Sequence, residues 1–442
     1  MSTVHRANDL PKLLATGEHA FSELLSAIAA ARRSLFVRAF IWRDDATGRE
    51  VARAILDAAE RGVRVTICKD LVGAIYEHFD ENQRSFFHPE IELRERIRVR
   101  LLRFVYRRPR HPERPTAPLA RQLLEHPGIA VHHRHKLCDH SKLLIVDDET
   151  MFVGGMGFGD EFRCRWLDLM VRLDGRRHVQ RYAAQLAPRP CASPTRPVGF
   201  LVNARQPDGR LRFGIVGHRL RAIAETRRRL VMEMAYLGDP RITDALVDLV
   251  RRGAELTLVL SARANVVHDL NSAVVDELRR RTGAPDRLRV FHHPRMVHTK
   301  VMVFDDCAVE LGSANCTPLS HDGYGETDVW VEDPGFARQV LEVVERHAAE
   351  STPVVRPLRP RLLFTVVERQ LQERHRFGTG GDDAPVHVIP YVPEGEEPEG
   401  PADEAPWDAW PSEIDPPRAR EEVLTRAEIA QRLSRSGRRS VA

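Results

Sequence analysis

The first part of the chain alternates between two hydrophobic patterns. Apolar residues at helical spacing in 21–28 and 51–58 predict two amphipathic helices. Continuous apolar runs in 34–43 and 63–68 predict two buried strands. This order of helix, strand, helix and strand is typical of an α/β layer, in which helices cover one sheet.

The same order of patterns returns in the second half. Helical spacing in 218–226 and 242–250 alternates with apolar runs in 230–236 and 256–260. The passage DAAERGVRVTI near residue 57 also matches DLVRRGAELTL near residue 248 in pattern and in several identities. The chain therefore contains a duplication whose unit is too long for a solenoid repeat, which predicts two similar lobes.

Both halves carry one polar triplet, at the point where an apolar run begins. The triplets are His140, Lys142 and Asp147 in the first half and His298, Lys300 and Asp305 in the second. The chain has five lysines against 62 arginines, so two chance matches of this spacing are very improbable. Because alternate residues of a strand share a face, each histidine and its lysine are expected to project together.

The likeness of the halves continues beyond the triplets. A glycine-rich turn follows each one, at Gly154-Gly155 and at Gly312-Ser313. A carboxylate, Asp168 or Glu326, stands 28 residues after the histidine in both halves. If two similar lobes pack about an approximate two-fold axis, both histidines converge on one cleft between them.

Charge and hydropathy limit the classes of partner. The chain has 442 residues, a formal net charge of +4 and 42% hydrophobic residues, which is enough for a sizeable core. Eleven acidic residues and no lysine or arginine lie within 382–415, so the remaining chain is strongly basic. A basic body suits membrane phosphates or nucleic acid. No signal peptide and no transmembrane helix are expected.

Three segments fall outside the duplicated pattern. An arginine-rich insertion, interleaved with apolar residues, lies at about 85–125. One interpretation is an element that binds lipid headgroups or a polyphosphate backbone, and the other is a solvated segment that caps the lobe. Residues 351–377 predict a helical extension. Its row Leu362, Leu363, Val366, Val367 and Leu371 is expected to dock on the core, and membrane contact is the alternative. Residues 378–442 predict a disordered acidic tail, rich in proline and glycine, with a short helix near its end. The two lobes are then 1–195 and 196–350.

The triplets and their surroundings resemble the phospholipase D superfamily, whose mark is HxKxxxxD in two copies. FVGGMGFGDEF (152–162), WLDLMVRLDG (166–175) and GSANCTPLS (312–320) are most similar to bacterial cardiolipin synthases. The resemblance implies an α/β fold of two similar lobes, each a mixed β-sheet flanked by helices. The lobes pack as a pseudo-two-fold with one shared active site.

The resemblance also implies roles for individual residues. His140 is expected to attack phosphorus and form a phosphohistidine, while His298 acts as acid and then as base. Lys142 and Lys300 would neutralise the phosphoryl oxygens. The implied catalytic set is His140, Lys142, Asp147, His298, Lys300, Asp305, Asn315, Asp168 and Glu326, with Ser313, Gly155 and Gly157 on the substrate.

Within that set, the carboxylates are expected to differ in function. Asp168 and Glu326 should each accept an N–H from the histidine 28 residues before it, and so fix its tautomer. Asp147 and Asp305 should rather fix strand and loop geometry.

One position departs from the family pattern. Gly157 occupies the place that corresponds to Asn315, where the family usually has asparagine in both halves. The first lobe would then lack one amide donor to a phosphoryl oxygen, which predicts lower activity or altered substrate choice. Gly157→Asn is nevertheless predicted not to abolish turnover.

The sequence thus predicts a phosphatidyltransferase that moves a phosphatidyl group between glycerophospholipids. Its expected partner is an anionic glycerophospholipid at a membrane surface, and no obligate protein partner is expected. The protein is expected to be cytoplasmic and to associate peripherally with the inner face of the membrane. The alternatives are a phospholipase D hydrolase, a nuclease or other phosphodiesterase of nucleic acid, and a weakened lipid- or nucleic-acid-binding protein. No cofactor and no metal are expected, since the cluster His132, His133, His135 and Cys138 lacks a matching distant pair of ligands.

Overall fold

Two α/β lobes, one from each half of the chain, make up the structure. It is a computed structural model, and it describes residues 10–79, 85–106, 118–134, 138–186, 197–205, 211–284 and 286–374. Each lobe has one mixed sheet covered by helices, as the sequence predicts. The predicted acidic tail at 378–442 and the central part of the arginine-rich insertion lie outside the described residues.

The first lobe is built on a seven-stranded sheet. Its strands are β1 (Lys12–Leu14), β2 (Ser34–Ala39), β3 (Arg64–Lys69), β4 (Ile129–His132), β5 (Leu143–Val146), β6 (Thr150–Gly154) and β7 (Met170–Asp174). The order across the sheet is β1-β7-β6-β5-β2-β3-β4, with β2, β3 and β4 parallel and the remaining pairs antiparallel. Its helices are α1 (Gly17–Ala30), α2 (Ala46–Glu60), α3 (Leu71–Phe79), α4 (Leu93–Tyr106), α5 (Pro118–Glu125) and α6 (Arg176–Leu186), with a π-helical turn at Glu161–Arg165.

The second lobe repeats this plan with nine strands. They are β8 (Val198–Arg205), β9 (Leu211–Phe213), β10 (Arg229–Met234), β11 (Glu255–Ser261), β12 (Leu288–His293), β13 (Lys300–Phe304), β14 (Ala308–Gly312), β15 (Glu326–Glu332) and β16 (Thr352–Pro353), in the order β16-β12-β11-β10-β13-β14-β15-β8-β9. The helices are α7 (Ile215–Glu225), α8 (Pro240–Arg251), α9 (His268–Thr282), α10 (Pro318–Asp322), α11 (Pro334–Ala349) and α12 (Leu362–Arg374).

Local chemistry explains where the predicted helices begin. The side chain of Asp45 caps α2 by accepting the N–H of Gly48, and Asp239 caps α8, which has Pro240 in its first turn. The central strands β2, β5, β13 and β14 are buried along their whole length, which explains their continuous apolar sequence.

The hydrophobic core has three layers. The outer face of the first sheet packs against α1, α2 and α5, and the outer face of the second packs against α7, α8 and α9. A third cluster joins the lobes, because inner-face residues of both sheets, such as Val153 and Val329, belong to it together with α6 and α11. The lobes therefore share one continuous apolar interface.

The last helix corrects one expectation from sequence. The row from Leu362 to Leu371 was expected to dock α12 on the core, but its first two members and Val366 are exposed, while its last two are half-buried. Instead, Glu368 is buried and accepts the backbone N–H of Leu270 in the first turn of α9. A first-turn N–H has no partner inside its own helix, so this hydrogen bond directs a polar side chain inward.

Asp147 and Asp305 lie at the far ends of β5 and β13 from the histidines. The carboxylate of Asp147 accepts the backbone N–H groups of Arg32, Arg33 and Ser34 at 2.7–2.9 Å. Asp305 accepts those of 227, 228 and 229 at 2.7–3.0 Å in the same way. The motif aspartates thus bind the segment that leads into the neighbouring strand, and they do not meet the other motif residues.

We predict that Asp147→Asn lowers the free energy of unfolding by about 1–3 kcal/mol, because one amide oxygen replaces a charged acceptor of three N–H groups. Asparagine tolerates the left-handed backbone at this position, where φ is +53°. Chemical denaturation provides the measurement, with the neighbouring exposed Glu149→Gln as control. A large loss of turnover per folded molecule, without loss of stability, would contradict the structural role.

Candidate active site

One cavity between the lobes brings the two motifs together. His140 and Lys142 line it from the first lobe, and His298 and Asn315 line it from the second. Each histidine lies just before an inner strand, β5 or β13, and both are mostly buried. The motifs lie close enough that the charge of Lys300 lowers the pKa of His140. The duplication therefore forms one site.

The first histidine is held by the second lobe. Nδ1 of His140 lies 3.1 Å from both carboxylate oxygens of Glu326. Its backbone N–H donates to the carbonyl of Gly325 at 2.7 Å. The ring of Tyr324 stacks on the imidazole with centroids 5.9 Å apart. Three consecutive residues of one lobe thus fix the ring, tautomer and backbone of the other lobe's histidine.

The second histidine is held in the same way by the first lobe. Nδ1 of His298 lies 2.7 Å from Oδ2 of Asp168, and its backbone N–H donates to the carbonyl of Leu167 at 2.7 Å. The ring of Trp166 packs on the imidazole at 5.2 Å. Residues 166–168 and 324–326 are thus equivalent, 158 positions apart.

This crossed arrangement corrects the expected pairing of histidines and carboxylates. The sequence paired each histidine with the carboxylate 28 residues later in its own lobe, whereas the structure pairs His140 with Glu326 and His298 with Asp168. The cause is backbone pairing between the lobes, since Asp139 bridges to Gly325 and Leu167 to Val297. Each carboxylate therefore points across the interface.

Both lysines lie beside their histidines. Nζ of Lys142 donates to the backbone carbonyl of His140, and Nζ of Lys300 donates to that of His298. Nζ of Lys300 also lies 3.0 Å from Nδ1 of the His298 ring. Two cations therefore flank the place where a phosphoryl group would meet the imidazoles.

Gly155 and Ser313, each 15 residues after the histidine of its motif, lie behind the carboxylates of Asp168 and Glu326. Ser313 is fully buried and donates its hydroxyl to Oε2 of Glu326 at 2.5 Å, so it positions that carboxylate rather than contacting substrate as expected. At Gly155, an added Cβ would lie 2.4 Å from Oδ1 of Asp168. Glycine is needed there because the carboxylate occupies the space that a side chain would take.

Asn315 is the expected amide that does line the cavity. Its side-chain oxygen is buried without a hydrogen-bond partner among the residues described. The buried guanidinium of Arg219 holds the surrounding loop by donating to the backbone carbonyls of Ala314 and Asn315 at 2.8–2.9 Å. The loop is therefore rigid, and its amide side chain is available to a ligand.

Gly157, the counterpart of Asn315, lies behind the cavity wall. A Cβ on Gly157 would come within 2.9 Å of Cβ of Ile41 and 3.0 Å of the Phe162 ring. Both of these residues line the cavity. Ile41 and Phe162 thus fill the space that a side chain at Gly157 would occupy. The first lobe therefore presents an apolar wall where the second lobe presents the amide of Asn315.

The family follows from comparison with known proteins. A family model described as "Cardiolipin synthase, PLD-like domain" matches residues 24–188 and 220–348, which is more than half of the chain. The chain belongs to this family. It is 26% identical over 367 residues to "Cardiolipin synthase A" of Pseudomonas aeruginosa (strain LESB58), covering 78% of this chain and 68% of the relative. It is 24% identical over 364 residues to "Cardiolipin synthase B" of Escherichia coli (strain K12), covering 74% and 77%.

A solved structure supports the same fold. The crystal structure of phosphatidylserine synthase from Haemophilus influenzae Rd KW20 superposes with a TM-score of 0.57 at 12% identity, covering 84% of this chain and 96% of that one. Within the described ranges, no helix combines the length and apolar character needed to cross a membrane.

An aromatic wall surrounds the motifs, and sequence reasoning missed it. Phe40 meets the His140 ring edge-on at 4.7 Å, and Phe162 meets the His298 ring at 5.2 Å. Tyr324 and Trp166 stand two residues before the carboxylates in both halves. That repeated spacing is the signal that could have identified them, because alternate residues of an extended segment share a face.

Burial dominates the electrostatics of the site. It lowers the pKa of His140 to about 4 and that of His298 well below its ordinary value, with the nearby lysines acting in the same direction. Burial likewise raises the pKa of Asp168 to about 7, against the opposing charge of Lys300. At Glu326 burial would raise the pKa, but His140 holds it below its ordinary value. Near neutral pH, burial therefore favours the uncharged form of both imidazoles.

Burial also lowers the pKa of Lys142 to about 7 and of Lys300 to about 8. A lysine is charged only below its pKa, so the positive charge that attracts a phosphodiester is lost as the pH rises through this range. We predict that kcat/KM begins to fall near pH 7, where Lys142 loses its charge, and falls further above about pH 8, whereas kcat, which reports the anion-bound site, falls only at higher pH. Rates measured with a short-chain phospholipid from about pH 6 to about pH 10 provide the check.

Lys142→Arg supplies the matched variant, because arginine stays charged over this whole range. Any turnover that this variant retains should show a weaker alkaline decline in kcat/KM. An unchanged decline in both Lys142→Arg and Lys300→Arg would show that other groups control it.

For Gly157→Asn, the structure predicts lower stability and lower turnover, because the new side chain must displace Ile41 or Phe162 from the cavity wall. Thermal unfolding and specific activity are the measurements. Gly217→Asn is the control, since that glycine has no positive φ and an added Cβ would meet only Nη1 of Arg221, at 3.9 Å. A fully stable Gly157→Asn variant with raised turnover would instead favour the missing-amide interpretation.

Proposed function

We propose that the chain is a phosphatidyltransferase, which moves a phosphatidyl group from one glycerophospholipid to an alcohol through a phosphohistidine. The simplest reaction joins two phosphatidylglycerols to give cardiolipin and glycerol. One observation carries the proposal: both histidines line a single cavity, and each has Nδ1 occupied by a carboxylate of the opposite lobe. That arrangement turns Nε2 of each ring toward the substrate.

In the first step, Nε2 of His140 attacks phosphorus, and the bond from phosphorus to the leaving glycerol oxygen breaks. His298 gives the leaving oxygen its proton. The anionic substrate supplies the charge that raises the pKa of the buried imidazole, so His298 becomes protonated when the phosphodiester is bound. Lys142 and Lys300 stabilise the charge on the non-bridging oxygens.

In the second step, His298 removes the proton of the acceptor hydroxyl. The acceptor oxygen then attacks phosphorus, the P–N bond breaks, and His140 returns to its neutral form. If water takes the place of the alcohol, the product is phosphatidic acid and the enzyme acts as a phospholipase D. Transfer is favoured over hydrolysis where the cavity is apolar, and Phe40, Phe162 and Tyr324 provide that character.

The carboxylates support the assignment of His140 as nucleophile. Glu326, whose pKa is lowered, is ionised and stabilises the positive charge that develops on the His140 ring after attack. Asp168 accepts the Nδ1–H of His298 at 2.7 Å and so orients Nε2 of that ring for proton transfer.

The lining of the cavity bears on how a lipid is bound. Its motif histidines, Lys142 and Asn315 suit a phosphoryl group and its headgroup. The acyl chains then remain in a bilayer while the headgroup enters. We therefore propose that the enzyme works while bound peripherally at the inner face of the membrane.

Trapping the intermediate tests the mechanism. With a phosphatidyl ester of p-nitrophenol, the leaving group needs no proton, so His298→Gln should release a stoichiometric burst of nitrophenol and retain the phosphatidyl group on His140. His140→Gln should show neither burst nor label. A label on His298 in the His140→Gln variant would reverse the two roles.

The substrate class needs a separate assay of the purified protein. Vesicles of labelled phosphatidylglycerol should yield cardiolipin and glycerol, with phosphatidic acid as the product of hydrolysis. Parallel incubations contain single-stranded and double-stranded DNA. Cleavage of DNA without any product from lipid would overturn the proposal in favour of a nuclease, and binding of lipid without turnover would favour a weakened binding protein.

A further inference from the structure

Helix α4, in the arginine-rich insertion, has two apolar faces. One packs against α3 and includes Val99, Leu102 and Tyr106, which contact Ile75 and Phe79. The other contains Leu93 (73% exposed), Ile97 (57%), Leu101 (56%) and Phe104 (83%). The spacing of four, four and three residues places this second set in a single row along the helix. We call it the outer row of α4.

Arginines border the outer row on both sides. At 100° per residue, Arg96 and Arg100 lie along one edge of the row, while Arg94 and Arg98 lie along the other. All four side chains are exposed. A helix that exposes an apolar row between two lines of arginine has the composition of elements that lie in the interface of an anionic bilayer.

The position of α4 relates the outer row to the active site. The Tyr106 ring at its end packs on Phe79 at 5.5 Å, and the Tyr106 hydroxyl accepts the backbone N–H of Val267 at 3.3 Å. Phe79 and Val267 both line the catalytic cavity. Helix α4 therefore stands directly beside the cavity and is tied to its wall.

A second exposed apolar set lies near the same cavity. On α12, Leu362, Leu363 and Val366 are exposed, while Gln372 at the other end of the helix lines the cavity. Glu368 of α12 interacts electrostatically with Tyr106 of α4. Two helices with exposed apolar side chains thus meet at one side of the catalytic cavity.

We propose that the outer row of α4, with its bordering arginines, is the surface by which this protein docks on an anionic lipid bilayer. Apolar side chains enter the acyl region, and the arginines bind phosphate groups at headgroup level. Docking places the cavity beside the headgroup layer. The choice of a bilayer as the bound surface rests on the proposed function, whereas the exposure of the outer row and of its bordering arginines does not depend on that function.

Other occupants fit the outer row less well. A two-fold contact with a second copy would bring its arginine borders together, and the repulsion opposes such a dimer. Nucleic acid would pair with the arginines but would leave three aliphatic side chains and a phenylalanine against phosphate and water. A bilayer satisfies both the charge and the apolar row, and attachment of the acidic tail is the alternative that the test below distinguishes.

Binding of the full chain to vesicles tests the docking surface. The probes are vesicles of phosphatidylcholine alone and of phosphatidylcholine with an equal amount of phosphatidylglycerol. Ile97→Gln/Leu101→Gln/Phe104→Gln should reduce partitioning to the anionic vesicles by about tenfold or more. Arg94→Gln/Arg100→Gln should reduce it by an amount on the order of tenfold and weaken the preference for phosphatidylglycerol. Melting temperatures should not change, because the replaced side chains are exposed.

Matched controls carry the same chemical changes elsewhere. Val355→Gln replaces another exposed apolar side chain, and Arg338→Gln/Arg346→Gln replaces two exposed arginines of α11. Both should bind vesicles like the parent protein. Unchanged partitioning of the α4 variants would overturn the proposal, as would a change in oligomeric state or in attachment of the acidic tail without any change in partitioning.

Turnover separates this proposal from the proposed function. Activity of the α4 variants on phosphatidylglycerol vesicles should fall in proportion to binding, whereas kcat/KM for monomeric dihexanoyl phosphatidylglycerol should stay within about twofold of the parent. An equal loss on both substrates would assign α4 to the catalytic site and overturn the docking role. If no lipid is turned over but vesicles are bound through α4, the proposed function fails and the docking surface stands.

Discussion

The crossed contact between each histidine and the opposite lobe is the constraint on which the site depends. A carboxylate, a backbone carbonyl and an aromatic ring from three consecutive residues hold His140, and an equivalent set holds His298. Neither lobe can orient its own histidine by these contacts. Catalytic geometry is therefore a property of the interface, and the shared apolar core between the sheets supports it.

The same interface sets the electrostatic state of the site. Burial suppresses charge on both imidazoles and weakens it on both lysines, so the cavity does not hold four cations together. In the proposed reaction, a bound phosphodiester anion offsets this penalty for His298 and the two lysines, while His140 stays neutral and able to attack.

The two halves of the duplication differ in the residues around the site, so the two lobes contribute different chemical groups. Ser313 and Asn315 of the second lobe correspond to Gly155 and Gly157 of the first, so hydroxyl and amide donors occur on one side only. Glu326 gains a hydroxyl donor, while Asp168 is packed against glycine. The exposed row of α4 belongs to the first lobe alone. The two motif histidines, although alike in sequence, thereby have different environments, and only the lobe of His140 carries the exposed row of α4.

The sequence by itself determined the two α/β lobes and the position of each His–Lys pair at the start of an inner strand, because periodicity and local spacing encode them. The expected strand-fixing role of Asp147 and Asp305 came with the family resemblance, which also placed both in a catalytic set that they do not meet. Sequence reasoning misassigned the partners of the histidines and the roles of Ser313 and of the α12 row, and it missed the aromatic wall. Those features depend on which residues of distant segments meet. Only the packing of one lobe on the other decided them, since a 28-residue spacing within a lobe carries no information about the opposite lobe's position.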